Sequence, residues 1–386
     1  MSDKGLILIN DLPFSAFASA AEVGFDNIYA EAAAKVAASN ELVTNVLSDI
    51  VEPTTMQGKV WGNIGGGGDE QVSELGVPSS QKAEQGLECD FPLLRYAQNV
   101  SWSKVAWQTK PAQDLLKEID GGRIRSNNTV LKALRNAIFN DGNYTFTDAL
   151  GTNVSLSVKR FLNNDSAVIP DSPAGTEFAG THNHYIARAS TLARTDFSNG
   201  THASGVISTV LEHESFKDVR MYVNSGDVAS VQALVYDGST NTQGYVPSLP
   251  RELVAPATVA RATAGFPDTG TEDTLVGYWV TLEGPAVPVF VASWVPRYYI
   301  LVLGLDGIEK PICMRQRPQT NLQGLRIEYT APDFATVPMF LVREYGFGVF
   351  NRAAGAVLYI NGTSWADPSL TGGGFYGVAG CGTITG

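Results

Sequence analysis

The hydrophobic positions in the last third of the chain follow two arrangements. Leu325, Ile327 and Tyr329 alternate with polar neighbours, the period of a strand with one buried face. Residues 339–342 and 357–360 are instead continuous apolar runs, as strands buried on both faces show. Gly346, Gly348 and the Asn351-Arg352 pair are expected to supply turns between these runs. Residues 325–360 are therefore predicted to form a β-meander, with Phe340 and Val342 in its core. Helical spacing dominates the opposite end of the chain. Phe25, Ile28, Tyr29, Ala32, Ala33 and Val36 predict one helix, and Leu42, Val43, Val46, Leu47 and Ile50 a second that stops before Pro53, together a helical hairpin.

Between these ends the pattern changes several times. Residues 62–91 combine four consecutive glycines with small polar side chains and are too weakly apolar to make a core. Strand-like residues bound them, 59–61 on one side and 91–107, with Trp102 and Trp107, on the other, which predicts a long two-stranded excursion. A flexible linker is the plainer reading of the same composition. The glycine run is not a phosphate cradle, because no GxxxxGK[ST] pattern exists and no helical pattern opens directly after it. Thr109 is then placed to cap a helix with Pro111 in its first turn and Leu115, Leu116 and Ile119 on one face. A second amphipathic pattern follows Gly121-Gly122, through Val130, Leu131, Leu134, Ala137 and Ile138 to Phe139. Each glycine costs about 1 kcal/mol relative to alanine inside a helix, so a bend or break is expected between the two patterns.

Residues 152–158, TNVSLSV, read as an alternating strand. Val206, Ile207, Val210 and Leu211 predict a helix, residues 218–224 a buried strand, and Ser225 the cap of another helix through Leu234. That β-α order would begin a doubly wound sheet, but the NSGD turn lacks GxGxxG and the Pro, Gly, Ser and Thr-rich residues 237–274 do not continue the alternation. Strands resume at VPVFVA (287–292) and WVPRYYILVLG (294–304).

Composition narrows the chemistry. Charged residues are only 17% of the 386, against about 25% in a typical globular domain, and a surface so poor in charge is often covered by neighbours. The net charge of -12 lacks the basic excess of a dedicated nucleic-acid binder. Moderate acidity serves solubility, and it also suits a container wall that must not clamp a phosphate polymer. No apolar run approaches the ~18 residues of a membrane span, and the N-terminus lacks a signal-peptide pattern, which leads us to expect a protein made and kept in a cytosol. Cys89, Cys313 and Cys381 are widely spaced and are read as free thiols. The four histidines, His182, His184, His202 and His213, include only one close pair, short of the three or four ligands a metal needs. No GxSxG, HExxH or CxxC is present, and Asp306 with Glu309 reads as solvated turn charge. No catalytic, cofactor-binding or metal-binding residue is assigned.

The wording of several segments is familiar. The order PMFLVRE (338–344), YGFGVFNR (345–352) and AVLYI (356–360), preceded by YVNSGD (222–227) and WVPRYYILV (294–302), resembles the major capsid proteins of tailed phages, the Hong Kong 97-like fold. The resemblance covers most of residues 59–360. It implies an α+β chain with an N-arm at 1–60, an extended E-loop at 61–92 and a P-domain at 93–203 holding a spine helix at about 109–140. An A-domain at 204–308 and the closing P-domain meander with a C-terminal tail at 309–386 complete it. It further implies a structural, non-enzymatic virion protein without cofactors, assembled in the host cytoplasm as pentamers and hexamers into an icosahedral or elongated head around double-stranded DNA. Implied partners are further copies of the chain and separate scaffolding, portal and decoration proteins, with no membrane. Because the E-loop begins near residue 62, room is left only for an arm, and no maturation cleavage is expected. Some members crosslink an E-loop lysine to an asparagine of another subunit with help from a glutamate, and Lys82 is the lysine in this segment. The readings kept beside this one are a soluble α+β hydrolase or carbohydrate-binding protein, and a related nanocompartment shell.

Overall fold

The computed structural model describes residues 18–61, 87–167, 182–189, 191–198, 205–213, 216–248, 273–282, 284, 286–307, 309–329 and 335–368. Two compact units divide the chain, one from residues 1–46, 93–131 and 316–345, the other from residues 47–92, 132–315 and 346–386.

In the first unit a three-stranded antiparallel sheet forms from Leu94–Asn99, the leading part of Met339–Val349 and Leu325–Tyr329, in that spatial order. Its core joins Leu325, Met339 and Leu341 of the sheet to Ile28, Ala32 and Val36 of one helix and Leu115, Leu116 and Ile119 of another. The N-terminal pattern is not a hairpin. Phe25–Leu47 is one helix of 23 residues. Its polar middle, which suggests a break on sequence, is where it grips the sheet. Asn40 donates to the Leu325 carbonyl (2.8 Å), and its Oδ1 accepts from the Leu325 N–H and from Arg343 Nη2 (both 2.8 Å). The helix-interior penalty of a side chain that competes for backbone partners is offset because those partners lie across the interface.

The break expected at Gly121-Gly122 is absent too, since Ala112–Phe139 is a continuous helix of 28 residues. Gly122 is there for proximity: a Cβ at that position would lie 2.5 Å from Leu341 Cδ1 and 3.5 Å from Val100 Cγ1. Thr109 does not cap this helix. It ends the short helix Lys104–Thr109, which is capped by Ser103 and contains Trp107, so only Trp102 lies in a strand.

The second unit is built on a seven-stranded mixed sheet in the order Gly244–Pro247, Thr274–Val280, Val287–Val291, Val219–Val223, Tyr299–Gly304, Gly355–Tyr359, Tyr185–Ala187. Only the third-to-fourth and last pairings are parallel, so the sheet is not doubly wound. Its strands are the apolar runs of the sequence, and Ile300, Val302, Met221, Val289 and Leu358 are fully buried in one cluster with Trp279. Phe197 stacks on Trp279 at 4.1 Å between ring centroids. The helix Val206–His213 follows its predicted position, and the helix after NSGD is shorter than expected, Val228–Gln232, with Asp227 rather than Ser225 at its N-cap.

The predicted C-terminal meander divides. Leu325–Tyr329 and Met339–Val349 do pair antiparallel, whereas Gly355–Tyr359 joins the seven-stranded sheet beside Tyr299–Gly304. Gly346 and Gly348 lie within the 11-residue strand Met339–Val349, and the chain turns only after it, at 350–354. Phe340 is half-buried, facing away from the core that its neighbour Leu341 enters. Apolar runs identify strands well, but they carry no record of which strand each one pairs with.

Candidate functional site

The glycine-rich segment is bounded in the second unit by a pair of strands, a stem. Gly58–Trp61 and Leu87–Asp90 run antiparallel, with Gly58 opposite Asp90 and Trp61 opposite Leu87. The returning strand is therefore 87–90, earlier in the chain than the 91–107 expected. Residues 62–86 and Lys82 lie outside the described residues.

What holds the stem is the YGFGVFNR segment. The chain leaving the stem at Phe91 and Pro92 lies so close to residues 346–348 that a Cβ on Gly346 would sit 2.1 Å from the Pro92 carbonyl oxygen, and one on Gly348 2.7 Å from Phe91 Cδ1. Side chains at either position would occupy the path of the returning chain. Trp61, on the outgoing strand, donates its indole N–H to Asn351 Oδ1 at 3.1 Å. Asn351 Oδ1 also accepts from the backbone N–H groups of Ala353 and Ala354, which fixes the turn that presents it. Phe91 and Trp61 bury their rings with Cys89, Cys313, Leu162 and Phe350 in a cluster of their own.

Polar groups complete the anchor. Arg352, fully buried, donates to the Arg160 carbonyl (2.6 Å), Asp165 Oδ2 (3.0 Å) and Asn163 Oδ1 (3.2 Å). Burial alone would raise the Asp165 pKa, but the Arg352 charge and its hydrogen bond, with Asn143 and Lys159, hold it below the ordinary carboxylate range. Arg315 reaches the Phe91 carbonyl with Nη1 (2.9 Å) and Asp148 Oδ2 with Nη2 (2.8 Å). Asp90 accepts from the Ser157 N–H (2.7 Å). Lys59 on the stem lies 3.0 Å from Glu52 and 3.3 Å from Glu309, over the Phe350 ring. Burial lowers the Lys59 pKa, yet the Glu52 hydrogen bond and the surrounding negative groups outweigh it and leave the ammonium above its ordinary value.

This constellation holds the two strands of the stem in place. Burial pushes both the Cys89 and the Cys313 thiols up to about 12, and a thiol protonated at neutral pH is a poor nucleophile. Of the histidines, His184 is buried with Nδ1 2.6 Å from the Gly355 carbonyl oxygen, which makes Nδ1 the protonated nitrogen. His182 lies 5.0 Å from it, centroid to centroid, with its ring 3.7 Å from Glu212 Oε2. His202, the His213 side chain and Cys381 lie outside the described residues. Among the described residues, no group of three or more His, Cys, Asp and Glu is placed to hold a metal ion, and no helix is long and apolar enough to cross a membrane.

YGFGVFNR has the composition of a turn, and its partners are not visible in the sequence. Trp61, Asp148, Asp165 and Arg315 are far apart in the chain and meet only when it folds. The one local signal is charge set among apolar residues, at Arg315 in ICMR (312–315) and Arg352 in VFNRAA (349–354).

No family model and no curated protein matches the chain. Solved structures do. One described as Mycobacterium phage Patience aligns with a TM-score of 0.63 at 17% sequence identity, over 95% of this chain and 96% of that one. The capsid of a native GTA particle aligns at 0.44 and 16% identity, over 83% of this chain and 91% of that one. The holo-SrpI encapsulin complex from Synechococcus elongatus PCC 7942 aligns at 0.37 and 14%, over 84% and 89%. The chain thus has the fold expected from its sequence, the α+β fold of phage major capsid proteins of the Hong Kong 97-like class.

Proposed function

We propose that this chain is a major capsid protein that self-assembles as pentamers and hexamers into a phage head around double-stranded DNA, a structural component of the virion with no catalytic role. The observation that carries the reading is the pairing of a capsid-type fold with an anchored two-stranded stem on either side of the glycine-rich residues 62–86. A segment rich in glycine loses ~1–2 kcal/mol of backbone entropy per ordered residue. Its few apolar side chains offset little of that within one subunit, whereas a neighbour's surface can supply the missing contacts. In this reading residues 61–92 are the E-loop, 1–60 the N-arm, 93–203 and 309–386 the P-domain with its spine helix at about 109–140, and 204–308 the A-domain. Assembly takes place in the host cytoplasm.

Deleting residues 76–83 tests it. Surface segments tolerate shortening when their backbone is outside the core, so the variant should remain soluble and folded by circular dichroism while failing to form stable shells in sedimentation. A variant that assembles like wild type would refute the assigned role of the segment. A wild-type chain that stays monomeric at all concentrations would refute the capsid reading itself. DNA or protein recovered from inside the particles separates a phage head from a nanocompartment.

A further inference from the structure

Beyond the strand Gly355–Tyr359, residues 361–368 cross the second unit with a single ring packed beneath them. Trp365 lies edge-on to Tyr185, Tyr299 and Tyr359, at 4.9, 5.7 and 6.1 Å between centroids, so three tyrosines form its seat. Around that ring the segment is bare. Residues 361, 363, 364, 366 and 367 are exposed. Its polar ties to the rest of the unit are the Gly362 N–H to the Arg188 carbonyl (3.2 Å), the Tyr299 hydroxyl to the Ala366 carbonyl, and the Asp141 N–H to Asp367 Oδ1 (3.2 Å). The Trp365 indole N–H is satisfied inside the segment itself, by Asp367 Oδ1 at 3.0 Å.

We propose that residues 361–368 form a releasable strap, which lifts from the Tyr185, Tyr299 and Tyr359 seat as a unit while the sheet beneath stays folded, and which docks more tightly as the medium becomes more acidic. Opening breaks no strand pairing, since Gly355–Tyr359 keeps both neighbours, Tyr299–Gly304 and Tyr185–Ala187. It separates one indole from its seat and breaks three hydrogen bonds. Docking, in turn, brings two carboxylates together. Asp367 on the strap faces Asp141, and Tyr185 and Arg160 are the other titratable groups that interact with Asp141. Burial first, and the Asp367 charge second, hold the Asp141 carboxyl above its ordinary value, with Arg160 opposing. Lifting the strap removes Asp367 and admits water, so Asp141 falls back toward the ordinary ~3.9. A group whose pKa is higher in the docked state favours docking when protonated. The strap is therefore tightest below the ordinary carboxylate range and loosens as pH rises through the raised value.

The test is fluorine NMR of the full chain labelled with 5-fluorotryptophan, in which Trp365→Phe identifies one of six signals. Between about pH 3.5 and 8, a range chosen to bracket ~3.9 and the raised value, the Trp365 signal should move toward its solvent-exposed position as pH rises, while the other five stay in place. Asp141→Asn should hold that signal at the docked position throughout. A pH-independent Trp365 signal, or the same response in Asp141→Asn, would overturn the proposal. So would movement of all six signals together, which would make the event unfolding of the whole unit.

Discussion

Replacing Gly346 by alanine is the sharpest probe of how the excursion is anchored. A Cβ there would meet the Pro92 carbonyl oxygen at 2.1 Å and its carbon at 2.8 Å, whereas ordinary contact begins at about 3.4 Å. Both atoms are backbone, so no side chain can rotate away, and the chain at 91–92 must move by about 1 Å or the strand must. Overpacking of this kind costs about 1–3 kcal/mol. The displaced segment also carries the Phe91 carbonyl that Arg315 Nη1 holds at 2.9 Å, and a hydrogen bond to a charged group contributes about 1.5–3 kcal/mol. Against this, alanine gains roughly 0.5–1 kcal/mol over glycine in a strand. The expected net loss is about 1.5–5.5 kcal/mol, a large share of the ~5–15 kcal/mol of a typical domain. Urea titration of the unassembled subunit measures it, and hydrogen exchange locates it, because the Phe91 N–H is bonded to the Gln57 carbonyl at 2.8 Å. Gly142→Ala, where a Cβ would meet nothing within 4 Å, is the control and should be near neutral. A Gly346→Ala subunit with an unchanged urea midpoint and a protected Phe91 amide would refute the account of the anchor.

Leu341→Ala should cost about 2–5 kcal/mol in the first unit, since Leu341 is 1% exposed in its core, whereas truncating half-buried Phe340 should cost clearly less; thermal melts of the two variants rank them. Asp148→Asn should cost about 3–5 kcal/mol, because Arg315 would be left buried without its carboxylate at 2.8 Å; urea titration at pH 7 checks it. Asp165, whose pKa is depressed in the folded state, contributes stability that is present above the unfolded value of ~3.9 and lost as pH falls through the folded value. Asp165→Asn should therefore be less stable by about 1.5–3 kcal/mol at pH 7, and should lose less than wild type on acidification below about pH 4; melts across pH measure both.

Local pattern made much of this fold readable. The apolar runs at 219–223, 287–291, 299–304, 339–342 and 357–359 are strands, and Leu115, Leu116, Ile119, Val130, Leu131 and Leu134 are buried on one helix. Where the reading failed, a distant partner had outweighed a local signal. Gly122 does not break its helix because Leu341 needs the space, and Ser39-Asn40 does not break the N-terminal helix because Leu325 and Arg343 take up Asn40. The meander could not be divided from sequence, since Gly355–Tyr359 is equally apolar whichever sheet it enters. The anchor was half legible. YGFGVFNR stood out as wording, but its glycines looked like turns because the Phe91-Pro92 chain that requires them is more than 250 residues away in sequence. Trp61 and Asp165 carried no mark at all.

The central claim is that this chain builds a shell, and electron microscopy of the purified wild-type protein expressed alone and with candidate scaffolding proteins tests it most directly. The account predicts closed particles with five-fold and six-fold clusters of subunits, in which residues 62–86 of each copy lie against a neighbour. Homogeneous monomers or small open oligomers under every one of these conditions would contradict it.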